Sequence, residues 1–159
     1  MTAPADTDSG DSSPLGPVFF AYDGSDLSKL AIGEAGRQLA KGRDALVLTV
    51  WQPFDVGFVP AVALSIDAAD IADVRNAAAQ TAAEGASLAN GAGFDARSIE
   101  AEATPVWKAI VDIADEHEAS LIVLGSHGRT GLGGVLLGSV AEAVTAHSRR
   151  AVLIAHRRG

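Results

Sequence analysis

Short apolar runs alternate along this chain with longer segments whose apolar residues recur every three or four positions. The runs cover residues 18–22, 45–51, 120–124 and 151–155. The first three predict buried strands, and the fourth predicts the last strand. The spacing between them predicts amphipathic helices. These helices are expected between Ser25 and Gly42, over residues 67–90, from Thr104-Pro105 onward, and over residues 138–147.

Residues 94–103 follow a different pattern, because apolar and charged side chains nearly alternate there. Such alternation indicates a strand with one solvated face, as at the edge of a sheet. Counting this strand, five strands alternate with four helices, which predicts an open α/β sheet, mostly parallel, with helices on both faces. Ligands of such sheets bind outside the carboxyl ends of the strands, where the strand order reverses.

Composition narrows the range of functions. The formal net charge is −8, which disfavours nucleic acid and anionic membranes as partners. Because there is no cysteine, disulfides, zinc–thiolate sites and thiol catalysis are excluded, and a reducing cytoplasm is the expected compartment. No apolar run approaches the ~20 residues that span a bilayer.

The first 16 residues differ from the rest in composition. They contain Asp, Ser, Thr, Pro and Gly, and they carry no basic residue or apolar stretch typical of a signal peptide. Residues 1–16 are therefore predicted to be a disordered acidic tail, and residues 17–159 to form one domain.

The strongest chemical signal is the glycine-rich segment at residues 125–139, GSHGRTGLGGVLLGS. It follows a predicted strand and leads into a predicted helix, where backbone N–H groups and the helix dipole favour an anion. The Ser139 hydroxyl can donate to a phosphate oxygen, and Arg129 can neutralise its charge. A flexible turn is the alternative. No Gly-Lys-Ser/Thr closes the segment, and only one glycine follows the first strand, so it is neither a Walker A loop nor a Rossmann fingerprint.

The spacing Gly125-x2-Gly128-x9-Gly138-Ser139 resembles the G-x2-G-x9-G-S/T signature of ATP-binding universal stress proteins. The segments GSHGRTG and LLGSV, and AYDGS at the end of the first strand, are also similar to sequences typical of the family. The resemblance covers residues 18–156 and implies a five-stranded sheet in the order 3-2-1-4-5, of the adenine-nucleotide α-hydrolase-like type.

The resemblance also implies residue roles in the adenosine pocket. Asp23 matches an acidic residue of that pocket, with Ala21 beside it. Val50 matches the position where the second strand offers its backbone to adenine. Leu124 and Gly125 match the end of the fourth strand beside adenine and ribose.

Four further positions match the family's phosphate site, namely Gly128, Gly138, Ser139 and Val140. The implied ligand is ATP with Mg²⁺, and no residue is predicted to be catalytic or to bind metal directly. One position departs from the family, where glycine usually precedes the x-Pro of the third helix and this chain has Ala103. That methyl group bears on affinity rather than on the fold.

Other polar residues have simpler interpretations. Asp23 can equally cap the first helix together with Ser25. His127 is interpreted as a solvated loop histidine, and Glu100 and Glu102 as the solvated face of the edge strand.

The residues favour nucleotide binding over catalysis, since no base or carboxylate cluster suits phosphoryl transfer, and the resemblance implies a regulatory role in the stress response. A slow ATPase or adenylate-handling enzyme, an interaction module, and a site for AMP or cyclic AMP remain alternatives. The last strand, residues 151–155, is apolar throughout although the implied order places it at an edge. A homodimer paired through this strand is therefore predicted.

Overall fold

The computed structural model describes residues 15–53, 68–128 and 137–157. In this part of the chain five strands alternate with four helices, as the apolar pattern predicts. The elements are β1 (Val18–Ala21), α1 (Asp26–Gln38), β2 (Asp44–Trp51), α2 (Ala68–Gly91), β3 (Asp95–Glu102), α3 (Val106–Glu116), β4 (Leu121–Gly125), α4 (Ser139–His147) and β5 (Ala151–Ala155).

The strands form one sheet in the order β3-β2-β1-β4-β5, and all of its pairings are parallel. Val18 of β1 pairs with Ala45 of β2 on one side and with Leu121 of β4 on the other. The predicted fold and strand order are confirmed. Since the chain moves outward from β1 in both directions, the point where strand order reverses lies between β1 and β4.

Alternate side chains of the central strands pack into two separate hydrophobic cores, one on each face of the sheet. Phe20 points to the face covered by α1 and α2, where it packs with Ile32 and Val47. Phe19 points to the opposite face, where it joins Ile110 of α3 and other residues of α3 and α4. Burial on both faces explains why these strands read as continuous apolar runs.

The helix ends follow local chemistry. The Ser25 side chain accepts a hydrogen bond from the Ser28 N–H and caps α1. That helix ends at Gln38, earlier than the predicted stop at Gly42, because Leu39 is extended and serves as its C-cap. Gly42 instead has a φ of 76° in the turn before β2. Within the described ranges, no helix is both long and apolar enough to cross a bilayer.

Edge strands differ as expected. β3 lies at one edge of the sheet, and each of its side chains is exposed or half-buried, which confirms the predicted half-exposed edge strand, here Asp95–Glu102. At the other edge, Val152, Leu153 and Ile154 of β5 are each half-buried although the strand is apolar. The sheet therefore ends in one polar edge and one apolar edge.

Gly85 allows α2 to approach the sheet closely. A methyl group at this position would lie 2.7 Å from both Tyr22 Cδ1 and Val47 Cγ1. We expect Gly85→Ala to lower the free energy of unfolding by about 1 kcal/mol, because an overpacking loss of ~1–3 kcal/mol exceeds the gain of ~1 kcal/mol in helix propensity. Urea denaturation measures this change.

Gly91→Ala is the matched control, since a methyl group at the end of the same helix meets nothing within 4 Å. It should leave the protein as stable as the wild type or slightly more so. Equal unfolding free energies for the two variants would contradict the close packing of α2.

Candidate functional site

The carboxyl ends of the central strands bring the predicted adenosine-pocket residues to one edge of the sheet. Ala21 ends β1, Val50 is the penultimate residue of β2, and Leu124 and Gly125 end β4. Because β1 lies between β2 and β4, these positions surround the point of strand reversal. The structure thus brings together residues that are far apart in the sequence.

The turn after β1 is ordered by Asp23. Its Oδ1 accepts a hydrogen bond of 3.0 Å from the Ser25 N–H, and Gly24 has a φ of 79°, which glycine adopts without strain. The helix-capping interpretation is therefore correct for Ser25, while Asp23 stabilises the turn that precedes the cap. The contact of Asp23 with a ligand stays a prediction.

The second oxygen of Asp23 faces the glycine-rich segment. A methyl group placed on Gly128 would lie 2.8 Å from Asp23 Oδ2. Gly125, three residues earlier, packs closely against the start of α1. A methyl group there would lie 2.8 Å from Leu27 Cβ and 2.9 Å from the Leu27 carbonyl carbon. Glycine at both positions lets the end of β4 approach the start of α1.

Gly138 brings the N-terminus of α4 back to the end of β4. Its N–H donates to the Ser126 carbonyl at 2.7 Å, and a methyl group on it would lie 3.0 Å from that oxygen. Ser126 itself is buried, and its N–H donates to the Ala155 carbonyl of β5 at 2.9 Å. Both ends of the glycine-rich segment are thereby held beside the same sheet edge.

The first turn of α4 offers backbone donors. The helical ladder begins with the bond from the Glu142 N–H to the Gly138 carbonyl. The N–H groups of Ser139, Val140 and Ala141 come before it and have no acceptor within the helix. Ser139 is exposed, and Gly138, as N-cap, provides no side-chain cap. These donors, together with the helix dipole, suit an anion.

Arg129 lies outside the described residues, so its predicted role stays a prediction. The other predicted site residues are all described. His127, interpreted as a solvated loop residue, is half-buried, and its Nδ1 lies 3.1 Å from Ser126 Oγ. This pair lies next to Gly138, whose added methyl group would be 3.3 Å from His127 Cα.

Metal ligands are not gathered in the described part of the chain, where no group of three or more His, Cys, Asp or Glu side chains could hold an ion. Mg²⁺ is commonly held by one or two protein oxygens together with substrate phosphates, and the exposed Ser139 offers a hydroxyl in the first turn of α4.

Ala103 continues the β2–β3 pairing beyond the end of β3. Its N–H donates to the Trp51 carbonyl at 3.1 Å, and the residue is half-buried. The alanine that replaces the family's glycine is therefore accommodated beside the end of β2.

Glu100 differs from the expected solvated carboxylate. It accepts a hydrogen bond from the Trp51 indole N–H and one of 2.7 Å from Arg75 Nε of α2. Burial raises the pKa of Glu100. The bonds from Trp51 and Arg75 and the charge of Arg75 lower it by more, so the pKa lies below the ordinary 4.5. Sequence alternation missed this contact, because α2 covers that face of β3.

Glu100→Gln is expected to lower the free energy of unfolding by about 1 kcal/mol at pH 7, through loss of charge-assisted bonds. A carboxylate whose pKa falls on folding stabilises the protein above its unfolded-state pKa, and this contribution disappears as the pH falls through the folded-state value. The wild-type advantage should therefore shrink below pH 4.5, the ordinary value. Urea denaturation across the acidic range tests this.

Glu102→Gln is the control, since Glu102 is exposed two residues further along the same strand. It should have no comparable effect at either pH. A Glu100→Gln difference that persists unchanged in acid would rule out the proposed titration of this carboxylate.

Comparison with known proteins gives a family match over nearly the whole chain. The model of the universal stress protein family matches residues 15–156. Universal stress protein Rv2005c of Mycobacterium tuberculosis is 30% identical over 149 residues, which are 89% of this chain and 45% of the relative. This chain thus spans about half the length of that relative.

Solved structures agree with the fold. A universal stress protein in complex with cAMP is 30% identical, with a TM-score of 0.58 over 91% of this chain and 98% of that one. The structure of MJ0577 from Methanocaldococcus jannaschii has a TM-score of 0.73 at 22% identity, again over 91% and 98% of the two chains. The latter likeness concerns the fold alone.

Proposed function

The chain belongs to the universal stress protein family, and we propose that it binds ATP as a regulatory module of the stress response. The observation that carries the proposal is the convergence of Gly128 on Asp23 and of Gly138 on Ser126. These two of the three signature glycines thereby lie at the carboxyl ends of the strands, where strand order reverses. The N–H groups of α4 that have no acceptor within the helix begin at the same place.

In the proposed complex the adenosine lies over the ends of β1, β2 and β4. Asp23 contacts the ribose, and the backbone of Val50 contacts adenine. The phosphates meet the N–H groups of Ser139 and Val140, with the Ser139 hydroxyl and Arg129 as further partners. Mg²⁺ accompanies the phosphates.

A second candidate ligand is cyclic AMP, because a solved relative at 30% identity is in complex with cAMP. Cyclic AMP shares the adenosine half with ATP, but it has a single phosphate. It would make the contacts of the pocket and fewer of those at α4.

The first experiment is to denature freshly purified protein and identify any released nucleotide by chromatography and mass spectrometry. ATP in near-stoichiometric yield supports the proposal, and cyclic AMP supports the second candidate. Isothermal titration with ATP, AMP and cyclic AMP, each with and without Mg²⁺, then ranks the ligands. A protein that contains no nucleotide and binds none of these three would disprove the proposal and favour a pure interaction module.

Turnover separates a binding module from a slow ATPase. Bound ATP should remain ATP through many hours of incubation, because His127, the base beside Gly138, contacts the Ser126 hydroxyl and is not hydrogen-bonded to a carboxylate among the described residues. Conversion to ADP that is lost in Ser139→Ala would instead support the enzyme.

We also propose a homodimer paired through β5, whose apolar side chains are only half-buried at an open sheet edge. Light scattering should give twice the chain mass of 16.2 kDa. A monomer at micromolar concentration would contradict the pairing.

We further propose that the domain extends over residues 17–159, after an acidic tail at residues 1–16. It acts in the cytoplasm, because a chain without cysteine is suited to reducing conditions.

A further inference from the structure

Tyr22 joins the predicted ribose-binding turn to the rest of the molecule. It directly follows β1 and directly precedes Asp23. Its N–H donates to the Leu48 carbonyl at 2.9 Å, and its own carbonyl accepts a bond of 2.9 Å from the Thr49 hydroxyl. The backbone on the N-terminal side of Asp23 is thus fixed to β2.

The side chain of Tyr22 runs the other way, into α2. The residue is 2% exposed, and its ring contacts Gly85 so closely that no methyl group fits between them. Its hydroxyl emerges beyond the ring and donates to Glu84 Oε1 at 3.1 Å. The ring and hydroxyl therefore contact successive residues of one helix.

Glu84 also connects to α1. Lys29 Nζ lies 3.1 Å from the same oxygen, Oε1, that accepts the Tyr22 hydroxyl. The bonds from Lys29 and then Tyr22 lower the pKa of Glu84, while burial, followed by the bond to Glu84, raises the pKa of Tyr22. Near neutral pH the acceptor is thus charged and the phenol keeps its proton.

The same face of α2 lies near the turn one helical turn earlier. A methyl group on Gly24, the residue after Asp23, would be 3.5 Å from Thr81 Cγ2. Thr81 and Glu84 are three positions apart and so share one face of α2. The turn that contains Asp23 therefore lies near this face at Gly24 and is joined to it through Tyr22.

We propose that Glu84 is a positioning residue for the nucleotide, which holds Asp23 in its binding orientation by fixing Tyr22. This inference rests on the proposed function for its ligand, but the anchoring contact itself does not require one. It makes α2 part of the site, although none of its residues belongs to the family signature. Binding of adenine nucleotides then depends on how α2 sits against the end of β1.

The competing interpretation is a surface ion pair without consequence. The Lys29 and Glu84 side chains are 44% and 50% exposed, and such pairs contribute little on their own. The Tyr22 bond distinguishes the two interpretations, because it links a buried ring to the exposed carboxylate. Tyr22→Phe removes this bond and keeps the ring, whereas Glu84→Gln removes the charge.

The first readout needs no ligand. Amide hydrogen exchange in the free protein should be about threefold faster at Ser25 in Tyr22→Phe and Glu84→Gln, because the Ser25 N–H is bonded to Asp23. Asp73→Asn is the control, since it makes the same charge change at an exposed position of α2. It should leave this exchange rate unchanged.

The second readout is the dissociation constant for ATP with Mg²⁺, by titration calorimetry. We expect Tyr22→Phe and Glu84→Gln each to weaken binding three- to tenfold, because the first variant loses the hydrogen bond and the second replaces a charge-assisted bond with a weaker neutral one. If Glu84 acts through Asp23, then Glu84→Gln should cause no further loss in an Asp23→Ala background. A purely structural effect would weaken binding equally in both backgrounds.

The outcomes separate the two proposals. Unchanged exchange at Ser25 and unchanged affinity in both variants would overturn the positioning role. An equal loss with and without Asp23 would also overturn it. A third outcome is that Ser25 exchanges faster in the two variants but the wild-type protein binds no adenine nucleotide. This would refute the proposed function and the binding role of Glu84, and would leave only the anchoring contact.

Discussion

Gly128→Ala is expected to weaken adenine-nucleotide binding ten- to hundredfold with little change in the stability of the fold. The added methyl group would lie 2.8 Å from Asp23 Oδ2, so the carboxylate must turn away from its present position. In the proposed site this carboxylate and Gly128 flank the ligand. The methyl group and the displaced carboxylate would therefore both obstruct it, and a loss of ~1.4 kcal/mol already corresponds to tenfold.

Stability should fall by no more than about 1 kcal/mol, the contribution of one hydrogen bond such as that from the Ser25 N–H, because the atom that the methyl group meets is the end of a half-buried side chain that can rotate. Gly125→Ala should behave differently. Its methyl group would meet the Leu27 carbonyl carbon at 2.9 Å and oxygen at 3.0 Å. Since backbone cannot rotate away, Gly125→Ala should lose both stability and binding.

Calorimetric titration with ATP and Mg²⁺, beside urea denaturation, measures the two effects separately. Gly33→Ala is the matched control, because a methyl group there has only Arg37 Nη1, at 3.9 Å, within 4 Å. It should retain wild-type affinity. An affinity within twofold of wild type for Gly128→Ala would place the nucleotide elsewhere on the protein.

The architecture could be predicted because strands that are buried on both faces are continuous apolar runs in the sequence. Residues 18–22 and 45–51 read as continuous apolar runs, and they contain the buried strands β1 and β2 of a parallel sheet. The alternation over residues 94–103 marked the opposite edge equally well. The strand order itself came from the family resemblance, since apolar patterns do not encode which strands are neighbours.

The site was predictable only in part. Asp23 and the signature glycines follow parallel strands, so the topology alone places them at one edge of the sheet. The bond between Tyr22 and Glu84 left no such mark, because it depends on how far α2 is shifted along the sheet. Alternation likewise misread Glu100, since a polar residue on an edge strand looks solvated until a helix is known to cover it.

The largest loss of stability is expected for Phe20→Ala. Phe20 is 1% exposed in the central strand, and its ring packs edge to face against Phe94, with centroids 5.3 Å apart. Truncation removes apolar contacts with α1 and β2 and leaves a cavity that the surrounding sheet closes poorly. A loss of ~3–5 kcal/mol follows from comparable truncations of buried aromatic residues.

This loss is a large share of the ~5–15 kcal/mol that stabilises a typical domain, so Phe20→Ala is expected to unfold at a much lower urea concentration than the wild type. Phe20→Leu keeps much of the apolar volume and should lose only about 1.5 kcal/mol, which keeps the test measurable if the alanine variant does not fold. Leu88→Ala, at a 40% exposed position of α2, is the surface control and should stay within about 0.5 kcal/mol. Equal losses of unfolding free energy in Phe20→Leu and Leu88→Ala would show that the core beneath α1 and α2 is less tightly packed than its burial indicates. Tyr22, two residues away in the chain, would then be held less rigidly.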